Sequence, residues 1–124
     1  MILLNKFNKL FRWEAGRQIS GYSKLKLLTG GFPVPFDLYL LKFPEGSKIA
    51  EHVDIVDKEF NHYRINIILK KSKMGGEFLA EHSIIDWDRL KFFRPDIVKH
   101  SVTKVVGGSR YVLSIGFLLK KRGL

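Results

Sequence analysis

The chain has 124 residues, 45% of them hydrophobic, and a formal net charge of +10 from 22 Lys and Arg against 12 Asp and Glu. This length suits one domain, so we treat residues 1–124 as a single domain with its core over about 18–119. The absence of cysteine excludes disulfides and cysteine-ligated zinc or iron–sulfur sites. The basic residues are spread along the chain, which favours a basic surface over a dedicated nucleic-acid face, although nucleic acid remains a possible partner.

The N-terminal sequence carries no targeting signal that we recognise. Its apolar run from Ile2 to Leu4 is broken by Asn5 and Lys6, so it is too short for the apolar region of a signal peptide. No stretch approaches the ~18 uncharged residues that are needed to span a bilayer. We therefore predict a cytoplasmic protein with no membrane contact.

The first predicted element is a short amphipathic helix over residues 3–15, and strands dominate the rest of the chain. The helix would place five apolar side chains on one face: Leu3, Leu4, Phe7, Leu10 and Phe11. The predicted strands cover residues 18–28, 36–43, 48–54, 63–69, 77–81, 89–94, 97–106 and 111–119. Many short strands separated by Gly and Pro turns predict a mainly β protein, namely a double-stranded β-helix of the jelly-roll or cupin-like type.

His52 and Asp54 form the first candidate for chemistry. On a strand, residues i and i+2 point to the same face, so this imidazole and carboxylate would converge. His100 lies on another predicted strand. Two histidines and one carboxylate are the facial ligand set of non-heme iron(II) enzymes, which leaves coordination positions open. A His-x-Asp pair is also frequent by chance, so the pair alone leaves a structural role open.

Four segments of the chain, in the same order, resemble the prolyl-hydroxylase-like branch of the 2-oxoglutarate/iron(II) oxygenases. They are Phe43-Pro44-Glu45-Gly46 through His52-Val53-Asp54, the core strand Tyr63-Arg64-Ile65-Asn66-Ile67-Ile68-Leu69, the step Gly75-Gly76-Glu77-Phe78, and His100-Ser101-Val102 through Gly107-Gly108-Ser109-Arg110-Tyr111. Together they place the resemblance over roughly residues 36–119.

The resemblance implies an oxygenase domain that hydroxylates a C–H bond with iron(II) and 2-oxoglutarate. Its metal ligands would be His52, Asp54 and His100, with the keto-acid end of 2-oxoglutarate on two open positions. Arg110 would bind the far carboxylate, for which a guanidinium offers a bidentate fork. Ser114 matches the family's hydroxyl position on the same strand face and would donate to that carboxylate.

Several positions depart from the family pattern. Phe43 stands where the family often has a tyrosine that contacts the co-substrate, and Tyr39 has the same strand parity and could substitute. The family's hydroxyl on the core strand falls here on Ile67. With Phe78 in the same pocket, the resemblance implies a co-substrate site that is less polar than usual, and it leaves the affinity for 2-oxoglutarate open.

Other polar and aromatic residues receive structural interpretations. Arg64 is either a second anion contact or, as we prefer, half of a structural ion pair with Asp or Glu. His62 is predicted to be exposed at a loop end, His82 to be structural, and Trp87 to be a packing residue.

The expected substrate is a protein side chain or a small molecule. The rival functions are demethylation of a nucleic-acid base, a non-catalytic jelly-roll binding module, and a cupin-like metalloenzyme that does not use 2-oxoglutarate and would not need Arg110. The sequence leaves the oligomeric state and the identity of the substrate open.

Overall fold

The computed structural model describes residues 13–15 and 21–121, which form twelve β-strands and no helix. The strands are β1 (Trp13–Ala15), β2 (Ser23–Gly30), β3 (Phe36–Phe43), β4 (Ile49–His52), β5 (Phe60–Lys70), β6 (Met74–Gly75), β7 (Phe78–Ala80), β8 (Ile85–Asp86), β9 (Leu90–Phe93), β10 (His100–Val102), β11 (Val105–Val106) and β12 (Arg110–Lys120). Within this part of the chain, no helix is long and apolar enough to cross a membrane.

The strands form one large and two small antiparallel sheets. The large sheet has seven strands in the order β1-β2-β3-β12-β5-β9-β8. A three-stranded sheet has the order β4-β10-β7, and a two-stranded sheet joins β11 to β6. At the centre of the large sheet β12 pairs with both β3 and β5, so Ser114 lies opposite Tyr39 on one side and Asn66 on the other.

The core lies between the large sheet and the two small sheets. Alternation along β12 buries Arg110, Val112, Ser114 and Gly116, because successive side chains of a strand point to opposite faces. Val112 packs with four other buried apolar residues from both sides of the sandwich: Phe43, Ile68, Val102 and Val105. Beyond Val112 along β12, and on the neighbouring part of β5, the inward positions include polar side chains. The interior therefore changes from apolar to polar along these two strands.

The outer face of the large sheet is apolar. The Tyr63 ring stacks on Phe117 at 5.4 Å between centroids, and Phe92 lies within 6.4 Å of both rings. Ile65 and Ile67 continue this face along β5, and both are half-buried. The hydrophobic signal that predicted the core strand therefore comes mainly from its outward positions.

The structure confirms a mainly β fold and changes some predicted elements. The strand over 36–43 has the predicted bounds, whereas the predicted strand 97–106 is divided into β10 and β11. The helix prediction over 3–15 was wrong for Trp13–Ala15, which form β1 and pair with β2, because backbone pairing along that sheet edge fixes an extended conformation. The rest of that predicted helix lies outside the described residues.

Candidate metal centre and anion site

The two small-sheet histidines face each other. His52 at the end of β4 and His100 at the start of β10 are Cα partners in the antiparallel ladder, and their ring centroids are 4.3 Å apart. Asp54 follows just beyond β4, where its backbone N–H donates to the carbonyl of Pro95 at 2.8 Å. This hydrogen bond turns the segment after His52 toward the histidines. The structure thus brings together the three predicted metal ligands.

Backbone carbonyls orient both imidazoles. Nδ1 of His52 donates to the carbonyl of Ala50 at 2.8 Å, and Nδ1 of His100 donates to that of Val98 at 2.9 Å. A carbonyl only accepts, so each Nδ1 carries a hydrogen, and in the neutral ring the free lone pair is then on Nε2. This is the arrangement that metal-binding histidines adopt.

The three ligand atoms have the spacing that a divalent ion requires. Nε2 of His52 lies 3.2 Å from Oδ1 of Asp54, and Nε2 of His100 lies 4.0 Å from Oδ2. One ligand atom from each residue lies within 4.8 Å of the other two. Donors about 2.1 Å from an ion and at right angles around it would be about 3 Å apart. The residues therefore fit a metal of the facial type with only a small closure.

Burial favours the neutral, metal-binding form of His100. The side chain is 9% exposed, and desolvation lowers the pKa of this imidazole below its ordinary value. Phe93 and Phe78 surround it, at 5.1 Å and 6.2 Å between ring centroids. Metal binding needs deprotonated ligands, so a histidine held neutral binds a cation without first losing a proton.

Arg110 is a buried cation that lacks an anion. It is 4% exposed at the start of β12, and its guanidinium lies over the Phe43 ring at 5.3 Å. No carboxylate in residues 13–15 or 21–121 lies within ion-pair distance of it, and desolvation lowers its pKa to about 10. A buried charge without a partner is costly, which makes this guanidinium a ready site for an anion.

A glycine provides the space for the Arg110 stem. Gly76 has φ +64°, and a Cβ at this position would lie 3.0 Å from Cδ of Arg110 and 3.2 Å from Cγ2 of Val105. Only glycine adopts this conformation readily and leaves that room. The Gly75-Gly76 step noted in the sequence thus acts in positioning the arginine.

One cavity of about 440 Å³ contains the three metal ligands and Arg110. Ser114, Tyr39 and Phe78, which were assigned to the co-substrate pocket, also line it. Ile67 is not among the residues that line it. Its side chain belongs to the outer face of β5, opposite Leu113 and Leu90, because it is one residue out of phase with the inward Asn66.

Arg64 lies in a polar cluster in the same cavity. Its Nη1 donates to Oγ of Ser114 at 2.8 Å, and its Nη2 donates to Oδ2 of Asp37 at 3.0 Å and lies 3.3 Å from Nε2 of His62. The predicted ion pair of Arg64 is confirmed, with Asp37 as the partner. Ser114 in turn donates to Oδ1 of Asn66 at 2.6 Å, so its hydroxyl proton is directed there in this structure.

The prediction for His62 was wrong. The strand β5 begins at Phe60, three residues earlier than predicted, and its alternation turns His62 inward, where it is 8% exposed. His82 is exposed, and Trp87, predicted to pack, is 63% exposed.

Asp37, Asn66 and Tyr22 were not singled out from the sequence, yet all three line the cavity. Tyr22 stacks on Phe43 at 5.0 Å. The only sequence signal for Asn66 is the polar alternation of residues 62, 64 and 66 along β5.

Comparison with known proteins shows the fold. No protein-family model matches the chain, and no curated protein matches it. Among solved structures, it is similar to a Pseudomonas putida prolyl-4-hydroxylase, with a TM-score of 0.66 and 14% identity over 98% of this chain and 84% of that one. A cupin-2 domain protein, Rru_A2000 from Rhodospirillum rubrum, gives a TM-score of 0.59 and 13% identity over 90% and 72%. The fold is a cupin-type jelly roll.

The same fold also occurs in a structure of Rhodobacter sphaeroides SigE in complex with the anti-sigma ChrR, with a TM-score of 0.53 and 18% identity over 85% of this chain and 49% of that one. At these identities, the cupin-type jelly roll is what the comparisons share with this chain. In this jelly roll, His52 and His100 belong to the three-stranded sheet, and Arg110 belongs to the large sheet. The cavity between them is therefore bounded by both layers of the sandwich.

Proposed function

We propose that the chain is an iron(II)- and 2-oxoglutarate-dependent oxygenase that hydroxylates a C–H bond of a protein side chain or a small molecule. One observation carries the proposal. The cavity that holds the His52, Asp54 and His100 cluster also holds Arg110, a buried guanidinium with no carboxylate partner in the described part of the chain. A cupin metal site that bound no anionic ligand would have no need of this cation.

The chain's own residues fit both groups. His52, Asp54 and His100 would hold iron(II) and leave half of an octahedron open. When bound, iron(II) supplies the redox chemistry that couples oxidation of 2-oxoglutarate to succinate and carbon dioxide with hydroxylation of a C–H bond by dioxygen. Arg110 would hold the far carboxylate of 2-oxoglutarate through two parallel hydrogen bonds.

The apolar side chains around these groups would strengthen that binding. The Phe43 ring lies against Arg110, and Phe93 and Phe78 lie against His100. Rings in these positions exclude water, and an ion pair in a dry site is much less screened than one at the surface. Tyr39 and Tyr22 line the same cavity and are the candidates for a hydroxyl contact that Phe43 cannot make.

Turnover and binding together test the proposal. Purified chain with iron(II), 2-oxoglutarate and air should form succinate, and Mn(II)-loaded chain should bind 2-oxoglutarate in a calorimetric titration. Asp54→Ala should lower the affinity for Mn(II) at least about 100-fold, since even supporting residues of metal sites are worth 10–100-fold. His82→Ala, an exposed histidine outside the cavity, is the matched control and should behave as the unaltered chain.

Each alternative function gives a different result. Metal binding without 2-oxoglutarate binding would indicate a cupin metalloprotein of another kind and would refute the proposal. Absence of stoichiometric metal binding would indicate a non-catalytic binding module.

The net charge of +10 motivates a test for nucleic acid. Tight binding to an oligonucleotide at physiological salt, with a steep loss of affinity as salt is raised, would replace the proposed substrate by a nucleic-acid base.

A further inference from the structure

The segment that carries the metal ligand Asp54 continues beyond β4 as an extended chain. Burial alternates along it: His52, Asp54 and Val56 are half-buried and line the metal cavity, whereas Val53 is 37% exposed and Ile55 is 94% exposed. An extended backbone produces this alternation, since its successive side chains point to opposite faces. Residues 52–56 therefore present one row of side chains to the cavity and the other to solvent.

One side of this segment is open. In the part of the chain that the structure describes, β4 pairs with β10 alone, and the N–H of Asp54 donates to Pro95, in the loop that leads into β10. Neighbouring residues of an extended chain direct their backbone N–H and C=O groups to opposite sides. The backbone groups of Val53 and Ile55 therefore face away from Pro95, and they have no hydrogen-bond partner among the described residues.

The open side lacks the features that normally protect the edge of a sheet. Natural edge strands carry prolines, bulges or lysines, which prevent pairing with another chain. Residues 52–56 read His-Val-Asp-Ile-Val and contain neither proline nor lysine. Their three β-branched side chains favour pairing in a sheet. This edge therefore suits the addition of a further strand, which is one of the ways in which proteins bind peptides.

The pattern of pairing determines which side chain of an added strand meets the metal ligands. In an antiparallel ladder, two residues directly opposite each other either exchange both backbone hydrogen bonds or exchange none. Residues opposite Val53 and Ile55 would form hydrogen-bonded pairs, whereas the residue opposite Asp54 would not. The side chain of that residue shares the face of the Asp54 side chain, with the two Cα atoms about 4.5 Å apart. It therefore enters the metal cavity, with its own N–H directed away from the chain.

We infer that residues 53–55 bind an extended polypeptide as an added antiparallel strand, and that the side chain opposite Asp54 is presented to the metal site. The exposed side chains of Val53 and Ile55 pack against the two residues that flank it. The inference deepens the proposed function, because it selects a protein over a small molecule as the substrate, and its assignment of the hydroxylated residue rests on that function. Strand addition itself needs neither iron nor 2-oxoglutarate.

Peptides with methylated backbone nitrogens test the inference on the whole, unaltered chain. The probe is acetyl-Thr-Val-Ala-Val-Thr-amide, whose valines lie opposite Val53 and Ile55 and whose alanine lies opposite Asp54. NMR follows binding through the amide protons of Val53 and Ile55, and the amide proton of His82, an exposed residue outside the cavity, is the control. N-methylation of both valines should weaken binding at least about tenfold, because it removes two main-chain hydrogen bonds. N-methylation of the alanine should weaken it less than about threefold, because that N–H points away from the chain.

A paramagnetic ion tests the position of the alanine. With Mn(II) bound by His52, Asp54 and His100, the methyl signal of the alanine should broaden more than those of the valines, because only the alanine side chain points into the metal cavity. Equal broadening of all these methyl groups would contradict the assignment of the residue that is presented to the metal.

Other results would overturn the inference as a whole. Equal effects of the two methylations would show that the peptide main chain is not recognised, and a larger effect of alanine methylation would contradict the register. Peptides share the same main chain whatever their sequence. Absence of any shift of the Val53 and Ile55 amide protons at millimolar peptide would therefore also contradict strand addition.

The inference and the oxygenase proposal fail separately. If binding depends on the valine nitrogens in a chain that forms no succinate, the added strand is supported and the oxygenase proposal is refuted. If the chain forms succinate and the peptides show none of these effects, the oxygenase proposal is supported and the added strand is refuted.

Discussion

Replacing Arg110 by methionine should stabilise the free protein and weaken co-substrate binding. The residue is 4% exposed, and burial lowers its pKa well below the ordinary value, to about 10, which corresponds to about 3 kcal/mol of unfavourable free energy. Because the folded-state pKa lies below the unfolded one, this cost is present at every pH below about 10 and disappears only above the ordinary pKa of an arginine. Methionine fills a similar volume without a charge, so Arg110→Met should raise the free energy of unfolding at pH 7 by about 1–3 kcal/mol.

The same change should reduce the stabilisation that 2-oxoglutarate gives to the folded chain. Loss of one partner of a buried charge pair costs about 2–5 kcal/mol, or at least about 30-fold in affinity. Unfolding by denaturant is measured with Mn(II), with and without 2-oxoglutarate. At a concentration 100 times the Kd of the unaltered chain, the co-substrate should stabilise the unaltered chain by about 2.7 kcal/mol and the variant by at most about 0.9 kcal/mol.

Arg94→Met is the matched control and should have the opposite sign. Arg94 pairs with Asp96 at 2.8 Å, and the Asp96 side chain is only 7% exposed. Loss of the arginine leaves a buried carboxylate unpaired, which should lower the free energy of unfolding by about 3–5 kcal/mol. Destabilisation by Arg110→Met together with unchanged 2-oxoglutarate binding would refute the role of Arg110 as an unpaired anion site.

Three further predictions concern the cavity. Gly116→Ala should displace the Arg64 guanidinium and lower the free energy of unfolding by about 1–3 kcal/mol, whereas Gly31→Ala, with no heavy atom within 4 Å, should stay within about 0.5 kcal/mol in the same denaturant assay. Gly76→Ala puts a Cβ at positive φ and against Cδ of Arg110, so calorimetry should show about tenfold weaker 2-oxoglutarate binding; unchanged affinity would contradict the positioning role. Burial and Arg64 lower the pKa of His62 below 6.5, so the unfolded chain binds that proton more readily and stability should fall as pH drops below about 6.5; His62→Gln should reduce this slope, and His82→Gln should not.

The sequence predicted β3 well because prolines bound it. Pro35 and Pro44 stand on either side of the observed strand Phe36–Phe43, and proline interrupts regular pairing. The division of 97–106 into two short strands was not predictable from composition, because it follows from pairing with different partners. His100–Val102 pairs with β4 and β7, whereas Val105–Val106 pairs with β6.

The sequence predicted that the three metal ligands lie close together. For Asp54, however, the reason is not the strand parity on which the prediction was based. β4 ends at His52, so Asp54 does not reach the site as the i+2 residue of a strand. It does so because its backbone is anchored on Pro95, which is a contact between distant segments that a local pattern cannot show.

The polar cluster could not be predicted because alternation does not reveal which face of a strand is inside. Along β5 the apolar Ile65 and Ile67 point outward and the polar Arg64 and Asn66 point into the cavity. A polar face usually meets solvent, so this alternation gives no sign of a polar interior. His62 was predicted to be exposed because the strand was expected to begin only at Tyr63, which left His62 at a loop end. Only the packing of the sheets in the folded chain shows whether a polar strand face lies in the interior or on the solvent-exposed surface.

The division of the site between the two layers of the sandwich has a mechanical consequence. A molecule bound at one end beside His52 and His100 and at the other end to Arg110 would link the three-stranded sheet to the large sheet. Backbone amides of β4 and β10 should then exchange with solvent more slowly when the co-substrate is bound. Succinate lacks the keto-acid end, so it would keep only the contact with Arg110. The link between the two sheets would then be lost, and they could separate more readily.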